Sequence, residues 1–441
     1  VKQFKTLVPG AHLERLALER AAQHQRGSAP LTLCVVASEA RDLEAKLDKA
    51  LTILGGIQES VMDIHGIFFS ARPLAREGKL AFVFPGAGNA YAGMARELVL
   101  RFPDQMTGFQ RKTVAPRRRS MEQWVHPREI FRRRHSRDEM RSANEMIWGA
   151  GYYTQMLSDA LRFRMGVRPQ AALGYSLGES SGLFALDAWN SVDELHQRLT
   201  TWPLITTEIA GPMNAVLRAW SRQGVDVSKL EGTSFWATYL LVCSPEEVYP
   251  HLKDEPLVHM AIINAPDECV IAGLHEGCKR VIEKVKRSAH FTPFPVAVHV
   301  PEVEEVEPEY RTLHTLPTQA PEGVTFYSSG IGRPYKMDQD NAAESIVAQA
   351  IRCVDFPKLV NQAYDDGIRI FVEVGPRGSC TRWIEKILDG RPFLAVASDR
   401  KGRSEFVNLL HVAAQLSAQG VDVDLKSLYA AEQAPPVVTL L

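Results

Sequence analysis

The stretch Ala171-Ala172-Leu173-Gly174-Tyr175-Ser176-Leu177-Gly178-Glu179-Ser180-Ser181-Gly182-Leu183 decides the reading of this chain. An apolar run ends in Gly-x-Ser-x-Gly, and small and apolar residues follow without a proline. That is how a strand, a tight elbow and a helix are written, with Ser176 at the turn. Gly174 and Gly178 stand where side chains would clash with a sharply turned junction. The geometry lifts the hydroxyl out of the sheet. It also aims the amide of Leu177, with the free amides of the helix start, at a developing oxyanion. The pentapeptide fits a Gly-rich loop before a helix as well, so its partners elsewhere in the chain carry the decision.

Upstream, the strand candidate Leu80–Phe84 runs into Pro85-Gly86-Ala87-Gly88-Asn89-Ala90-Tyr91-Ala92-Gly93-Met94. This loop lacks the Lys-Ser/Thr ending of a nucleotide loop and the full Gly-x-Gly-x-x-Gly spacing, so a donor loop for an oxyanion fits it better. Downstream, Val192–Leu199 reads as a helix, followed by the aromatic and apolar patch Trp202-Pro203-Leu204-Ile205. Between about 234 and 300 the order is β-α-β-β-α-β, the pattern of a ferredoxin-like insert, with its last strand expected at Thr292–His299. His299 at that strand end is by itself as consistent with a packed or surface histidine. Ala343–Ile351 reads as a helix carrying Gln349, and Ile368–Pro376 as a buried strand leading to a turn. The segment before the Gly-rich loop reads as a small α/β unit without chemistry, its helix from Asp42 to Leu54 stopped by Gly55-Gly56.

The expected architecture is therefore α/β. A linker domain (1–74) precedes an α/β-hydrolase-like core (75–233 and 300–403) that a ferredoxin-like subdomain (234–299) interrupts, and a C-terminal linker and tail (404–441) follows.

The 441 residues hold 51 Lys plus Arg against 52 Asp plus Glu, so no general polyanion-binding character and no nucleic-acid partner is expected. Six cysteines lack C-x-x-C pairing or metal spacing, which points to a reducing, cytoplasmic setting and to no bound metal or cofactor. No apolar run approaches membrane-spanning length. The first residue is Val rather than Met, as in a piece of a longer polypeptide, processing or choice of boundary being the alternatives. The strongest charge asymmetry is at 111–137, where ten Lys or Arg face two Glu. It reads either as a solvated insertion or as a landing patch, through Arg117, Arg118 and Arg119, for an acidic protein or substrate phosphates.

Taken as an ordered set, these segments resemble the malonyl/acyl-transferase superfamily, specifically acyltransferase domains or subunits of iterative polyketide synthases and polyunsaturated fatty acid synthases. The family's F-P-G-x-G stands at Phe84–Gly88, its G-[HY]-S-x-G-E at Gly174–Glu179 and its N-[SA]-P at Asn264–Pro266. F-[VI]-E-[VI]-G-P stands at Phe371–Pro376, and a V-D-x-x-x-L-Y-like ending at Val423–Tyr429. The resemblance covers about 70–429, with Tyr175 in place of the usual His. It implies that Ser176 takes an acyl group from a coenzyme A thioester as an ester and passes it to the phosphopantetheine thiol of an acyl carrier protein, within a larger fatty acid or polyketide synthase. His299 matches the catalytic histidine, Leu177 and Ala87 the two backbone oxyanion donors, and Gln349 an amide that fixes the histidine or the acyl end.

One departure concerns the substrate. Malonyl-selective members carry an Arg on the helix after the elbow, and spacing places Trp202 there. An unpaired buried carboxylate is costly, whereas an apolar acyl group gains from an indole surface. An uncharged acyl group is thus the expectation, with Arg198, one turn earlier, as the route by which malonyl would still be served. A thioester hydrolase using the same dyad and a non-catalytic carrier-binding module are the other readings.

Overall fold

The computed structural model describes Lys5, Val8 and residues 12–23, 31–56, 60–104, 143–230, 234–292 and 296–429. Near the N-terminus, β1 (Leu33–Val35), β2 (Ser60–Asp63) and β3 (Ile67–Ser70) pair antiparallel in the order β1-β3-β2. The helix Ala40–Leu54 buries Leu43, Leu47 and Ala50, the single stripe that its 3.6-residue period makes apolar. Phe68 of β3 packs with Ala414 and Ala418 of the helix Glu405–Ala418, so the first unit and the end of the chain share a small core.

The chain then enters its main sheet with β4 (Lys79–Phe84) and β5 (Ala171–Gly174), paired parallel with Phe84 opposite Gly174. From Leu80 onward, every residue of both strands is buried. A parallel sheet covered on both faces requires such uninterrupted apolar runs rather than alternation. The subdomain follows as β6 (Trp236–Leu241), a helix at Pro245–Leu252, β7 (Val258–Ala265), β8 (Glu268–Leu274), a helix at His275–Val285 and β9 (Ala289–Phe291). The order β7-β8-β6-β9 with antiparallel pairing is the ferredoxin-like arrangement the sequence suggests. Its last strand is shorter and earlier than expected. It ends at Phe291, because Pro293 and Pro295 have no N–H to give a ladder.

The return to the core supplies β10 (Thr325–Ser328), β11 (Arg333–Tyr335), β12 (Val354–Asp355), β13 (Ile368–Glu373) and β14 (Leu394–Ala397). The main sheet runs β11-β10-β5-β4-β13-β14 and is parallel except for edge strand β11, while β12 joins the subdomain sheet beside β7. The carboxyl ends of β4, β5 and β13 are adjacent, which brings the Gly-rich loop, the serine elbow and the Val374-Gly375-Pro376 turn together. Open α/β sheets place ligands at that edge. Among the described residues no helix is long and apolar enough to cross a membrane.

Candidate active site

Ser176 sits between β5 and the helix Leu177–Ala185 with φ 55° and ψ −123°, a backbone conformation that costs a non-glycine residue about 1–3 kcal/mol. The flanking glycines are sterically required. A Cβ on Gly178 would stand 1.8 Å from the Phe84 carbonyl oxygen, and one on Gly174 would stand 2.2 Å from the Glu179 Cα. The elbow is closed by Gly178 N–H donating to the Tyr175 carbonyl (2.9 Å) and Glu179 N–H to the Ser176 carbonyl (3.0 Å). Tyr175 points away from the nucleophile. Its hydroxyl donates to Asn264 Oδ1 (2.7 Å), and Asn264 in turn donates to Glu268, which also accepts from Trp383 Nε1. The Asn264-Ala265-Pro266 segment therefore anchors the elbow to the subdomain rather than lining the site.

His299 reaches Ser176 from across the cleft, with Nε2 2.8 Å from Oγ. It lies not at a strand end but in a left-handed conformation (φ 63°) beyond the isolated bridge Val296–Ala210. The helix Gln339–Ile351 ends facing it, and the last carbonyls of a helix have no partner within it. Here they hold the histidine. The Ala350 carbonyl accepts from His299 N–H (2.6 Å) and Val300 N–H (3.2 Å), and the Gln349 carbonyl accepts from Nδ1–H (2.6 Å). With Nδ1 donating, Nε2 carries the lone pair that receives the Ser176 proton. Burial lowers the His299 pKa to about 4, the Gln349 carbonyl opposing part of that shift, so the imidazole is neutral at pH 7.

The Gln349 side chain does something other than the sequence suggests. Its Nε2 donates to the Ser176 carbonyl (3.1 Å), and its Oε1 lies 3.3 Å from Ser329 Oγ. The residue thus touches both partners, the histidine through its backbone and the serine's peptide through its amide. Behind it, Glu179 Oε2 accepts from the amide and hydroxyl of Ser329 (3.2 and 2.6 Å), and Oε1 accepts from Ser345. Burial raises the Glu179 pKa to about 7, which these hydroxyls partly counter. Ser329 and Ser345 lie outside every motif in the sequence. Glu179 stands within the quoted stretch, but only the fold reveals what it holds.

Leu177 and Ala87 border the same cavity as Ser176, and the backbone amide of neither donates to a described residue. The cavity encloses about 150 Å³ and is walled by Trp148, Phe184, Leu195, Leu199, Ile205 and Val298, among others. No Lys or Arg lines it among the described residues. A wider groove of about 730 Å³ opens at the amino ends of β4, β5 and β13, but among the described residues it holds no nucleophile beside a base.

Two expected acyl contacts are elsewhere. Trp202 is the C-cap of the helix Val192–Thr201, with extended backbone (φ −90°, ψ 143°) ahead of Pro203, and it does not line the cavity. Leu195 and Leu199, on the helix itself, take that place. Arg198 faces the other way. Its guanidinium donates to the carbonyls of Thr312, Leu313 and Thr315 (2.8–3.1 Å) and to Glu194 (2.5 Å). Arg117, Arg118 and Arg119 lie outside the described residues. Among the described residues no cluster of His, Cys, Asp and Glu is arranged to hold a metal.

No protein-family model matches the chain. It is 24% identical over 381 residues to a polyunsaturated fatty acid synthase polypeptide of Thraustochytrium sp., covering 81% of this chain and 18% of that protein. It is 25% identical over 371 residues to a phenolphthiocerol synthesis type I polyketide synthase of Mycobacterium marinum, covering 82% of this chain and 16% of that protein. The chain thus spans less than a fifth of the length of these relatives. Among solved structures, the acyltransferase domain from module 8 of the salinomycin polyketide synthase superimposes with a TM-score of 0.71 at 20% identity, covering 97% of this chain and 93% of that one. A malonyl CoA-acyl carrier protein transacylase of Clostridium perfringens superimposes with a TM-score of 0.60 at 19% identity, covering 77% and 98%. The chain has the fold of these acyltransferase domains, and its sequence relatives are polyketide and polyunsaturated fatty acid synthases.

Proposed function

We propose that the chain is an acyltransferase that moves an uncharged acyl group from coenzyme A, through an ester on Ser176, to the phosphopantetheine thiol of an acyl carrier protein. The observation that carries this reading is the 2.8 Å contact between Ser176 Oγ and a neutral His299 Nε2, at the wall of an apolar cavity that Leu177 and Ala87, whose amides donate to no described residue, also line. Ser176 Oγ attacks the thioester carbonyl carbon while its proton passes to His299 Nε2. The carbonyl oxygen becomes an oxyanion held by the two amides. The carbon–sulfur bond breaks as the double bond re-forms, and the coenzyme A sulfur takes the proton from His299. In the second half-reaction the carrier thiol gives its proton to His299 and attacks the ester, and Ser176 leaves with that proton. The imidazolium formed at each stage faces the carbonyl end of the helix Gln339–Ile351, where the helix dipole and the Gln349 carbonyl favour positive charge.

Support for an uncharged acyl group is independent of Trp202. A carboxylate such as malonyl's would enter a cavity whose described lining offers no cation, and desolvation without a partner disfavours it. The name of the Clostridium relative states malonyl as its substrate, and that is the competing reading the assay must exclude. A carrier-protein partner is in keeping with a solved complex of a type II polyketide acyl-carrier protein with its malonyl-transacylase, which shares this fold at a TM-score of 0.59. The six free thiols suit a cytoplasmic setting within a larger synthase. Intact-mass measurement after mixing the protein with acyl-coenzyme A tests the reading. One acyl adduct is expected on wild type and none on Ser176→Ala, and an equal adduct on the variant would move the nucleophile elsewhere.

A further inference from the structure

Away from the Ser176–His299 pair, the apolar cavity carries two side chains whose hydrogen-bonding capacity the fold leaves unused. Gln155, on the helix Ala143–Asp159, lines the cavity and is 6% exposed, and its Nε2 has no acceptor among the described residues. Its depth follows from its neighbours. An added Cβ on Gly151 would stand 3.8 Å from Ser181 Oγ, and the Ser158 hydroxyl donates to the Ala185 carbonyl at 2.9 Å. Gln155 therefore lies beside the later half of the helix Leu177–Ala185, roughly 10 Å along its axis from the nucleophile at 1.5 Å per residue. The second side chain is His314, 7% exposed and also lining the cavity. Its Nδ1–H donates to the Tyr310 carbonyl (2.9 Å), which leaves Nε2 as an acceptor that no described residue supplies with a donor. Burial lowers its pKa to about 4, so it offers a lone pair rather than a charge.

An apolar pocket is a costly place for a buried amide donor without a partner, and His314 adds an open acceptor to the same lining. A hydroxyl on the acyl chain suits either group, since it can accept from an amide N–H or donate to an imidazole nitrogen. A carboxylate accepts from the amide but has no proton for the imidazole, and its charge finds no Lys or Arg among the described lining. The terminal torsion of glutamine is broad, so the Gln155 amide turns toward a ligand at little cost. The volume agrees. A cavity of about 150 Å³ matches one known to hold benzene, the size of a six-carbon chain.

We infer that the cavity is built for an acyl group bearing a hydroxyl remote from the thioester, with Gln155 and His314 as the residues that select it. This rests on the acyl-transfer reading above. The test is a competition in which hexanoyl-coenzyme A and each of its monohydroxy isomers are offered to the protein and the adducts on Ser176 are measured by mass. At least one hydroxy isomer should load faster than hexanoyl by roughly tenfold or more. Gln155→Met, which keeps length without the amide, and His314→Phe should each reduce that ratio toward one. Loading of hexanoyl at least as fast as every isomer, or a ratio unchanged in both variants, would overturn the inference and leave acyl transfer standing. Failure of every thioester to acylate Ser176 would instead overturn transfer itself, and the inference with it.

Discussion

Replacing Gln349 with Leu separates the two jobs the residue performs. The substitution keeps the backbone carbonyl that accepts from His299 Nδ1–H and removes the amide that donates to the Ser176 carbonyl. The Ser176 carbonyl retains the Glu179 N–H at 3.0 Å, and Ser329 Oγ retains Glu179 at 2.6 Å, so no buried group is stranded outright. The loss is then that of one ordinary hydrogen bond, about 0.5–1.5 kcal/mol. If all of it is felt at the strained elbow in the transition state, loading slows by about tenfold at most. Because Ser176 and His299 act in both half-reactions, transfer to the carrier thiol should slow by the same factor. The acid limb of the pH profile should not move, since the group that sets the histidine's protonation is untouched. Rapid-quench measurement of Ser176 acylation across pH, for wild type, Gln349→Leu and His299→Ala, reads all three quantities. His299→Ala should lose on the order of 10²–10⁴. A Gln349→Leu protein as slow as His299→Ala, or one whose acid limb shifts, would show that the amide acts on the imidazole or the acyl group and refute this division of labour.

With the His299 pKa lowered to about 4, the imidazole is neutral above that value, so loading should be flat through neutrality and fall only as pH drops toward 4. A pH–rate series with a limb near 6.5 would place the base elsewhere. Trp202→Arg should leave the malonyl-to-acyl loading ratio unchanged, because the side chain is outside the cavity; a strong gain in malonyl adduct would return it to the pocket. Arg198→Ala removes donors to the carbonyls of Thr312, Leu313 and Thr315, and should cost about 1–3 kcal/mol in chemical denaturation without altering substrate preference. Gly178→Ala forces a Cβ 1.8 Å from the Phe84 carbonyl oxygen, and should abolish acylation while disrupting the native melt; a normally active variant would contradict the elbow geometry.

The parts of this site that are legible in the sequence are those fixed by local sterics. Gly174 and Gly178 are demanded by contacts with Glu179 and Phe84, and such demands leave a five-residue signature. The ferredoxin-like subdomain is legible for a similar reason, since each of its principal strands and helices is long enough to show its own period. The placement of His299 is readable only through the family resemblance. Its neighbours Val296 and Val298 suggest a continuing strand, while the two prolines before them stop the ladder at Phe291. Trp202 shows the limit of helical projection. The helix ends at Thr201 before Pro203, so counting onward along its face sends the indole to a cavity that the backbone has already turned away from. The Glu179–Ser329–Gln349 network joins residues 150 and more positions apart in the case of Glu179, and no local pattern announces it. The edge strands β11 and β14 are short, at three and four residues, and offer no period to read.

Intact-protein mass after brief exposure to an equimolar mixture of malonyl-coenzyme A and uncharged acyl-coenzyme A thioesters, followed by addition of a phosphopantetheinylated carrier protein, reads acyl choice and transfer together. A single uncharged acyl adduct is expected, mapped to Ser176, absent from Ser176→Ala, slow to form in His299→Ala, and discharged onto the carrier thiol. A predominant malonyl adduct would contradict the assigned substrate class, and discharge to water at the same rate with and without carrier would contradict transfer.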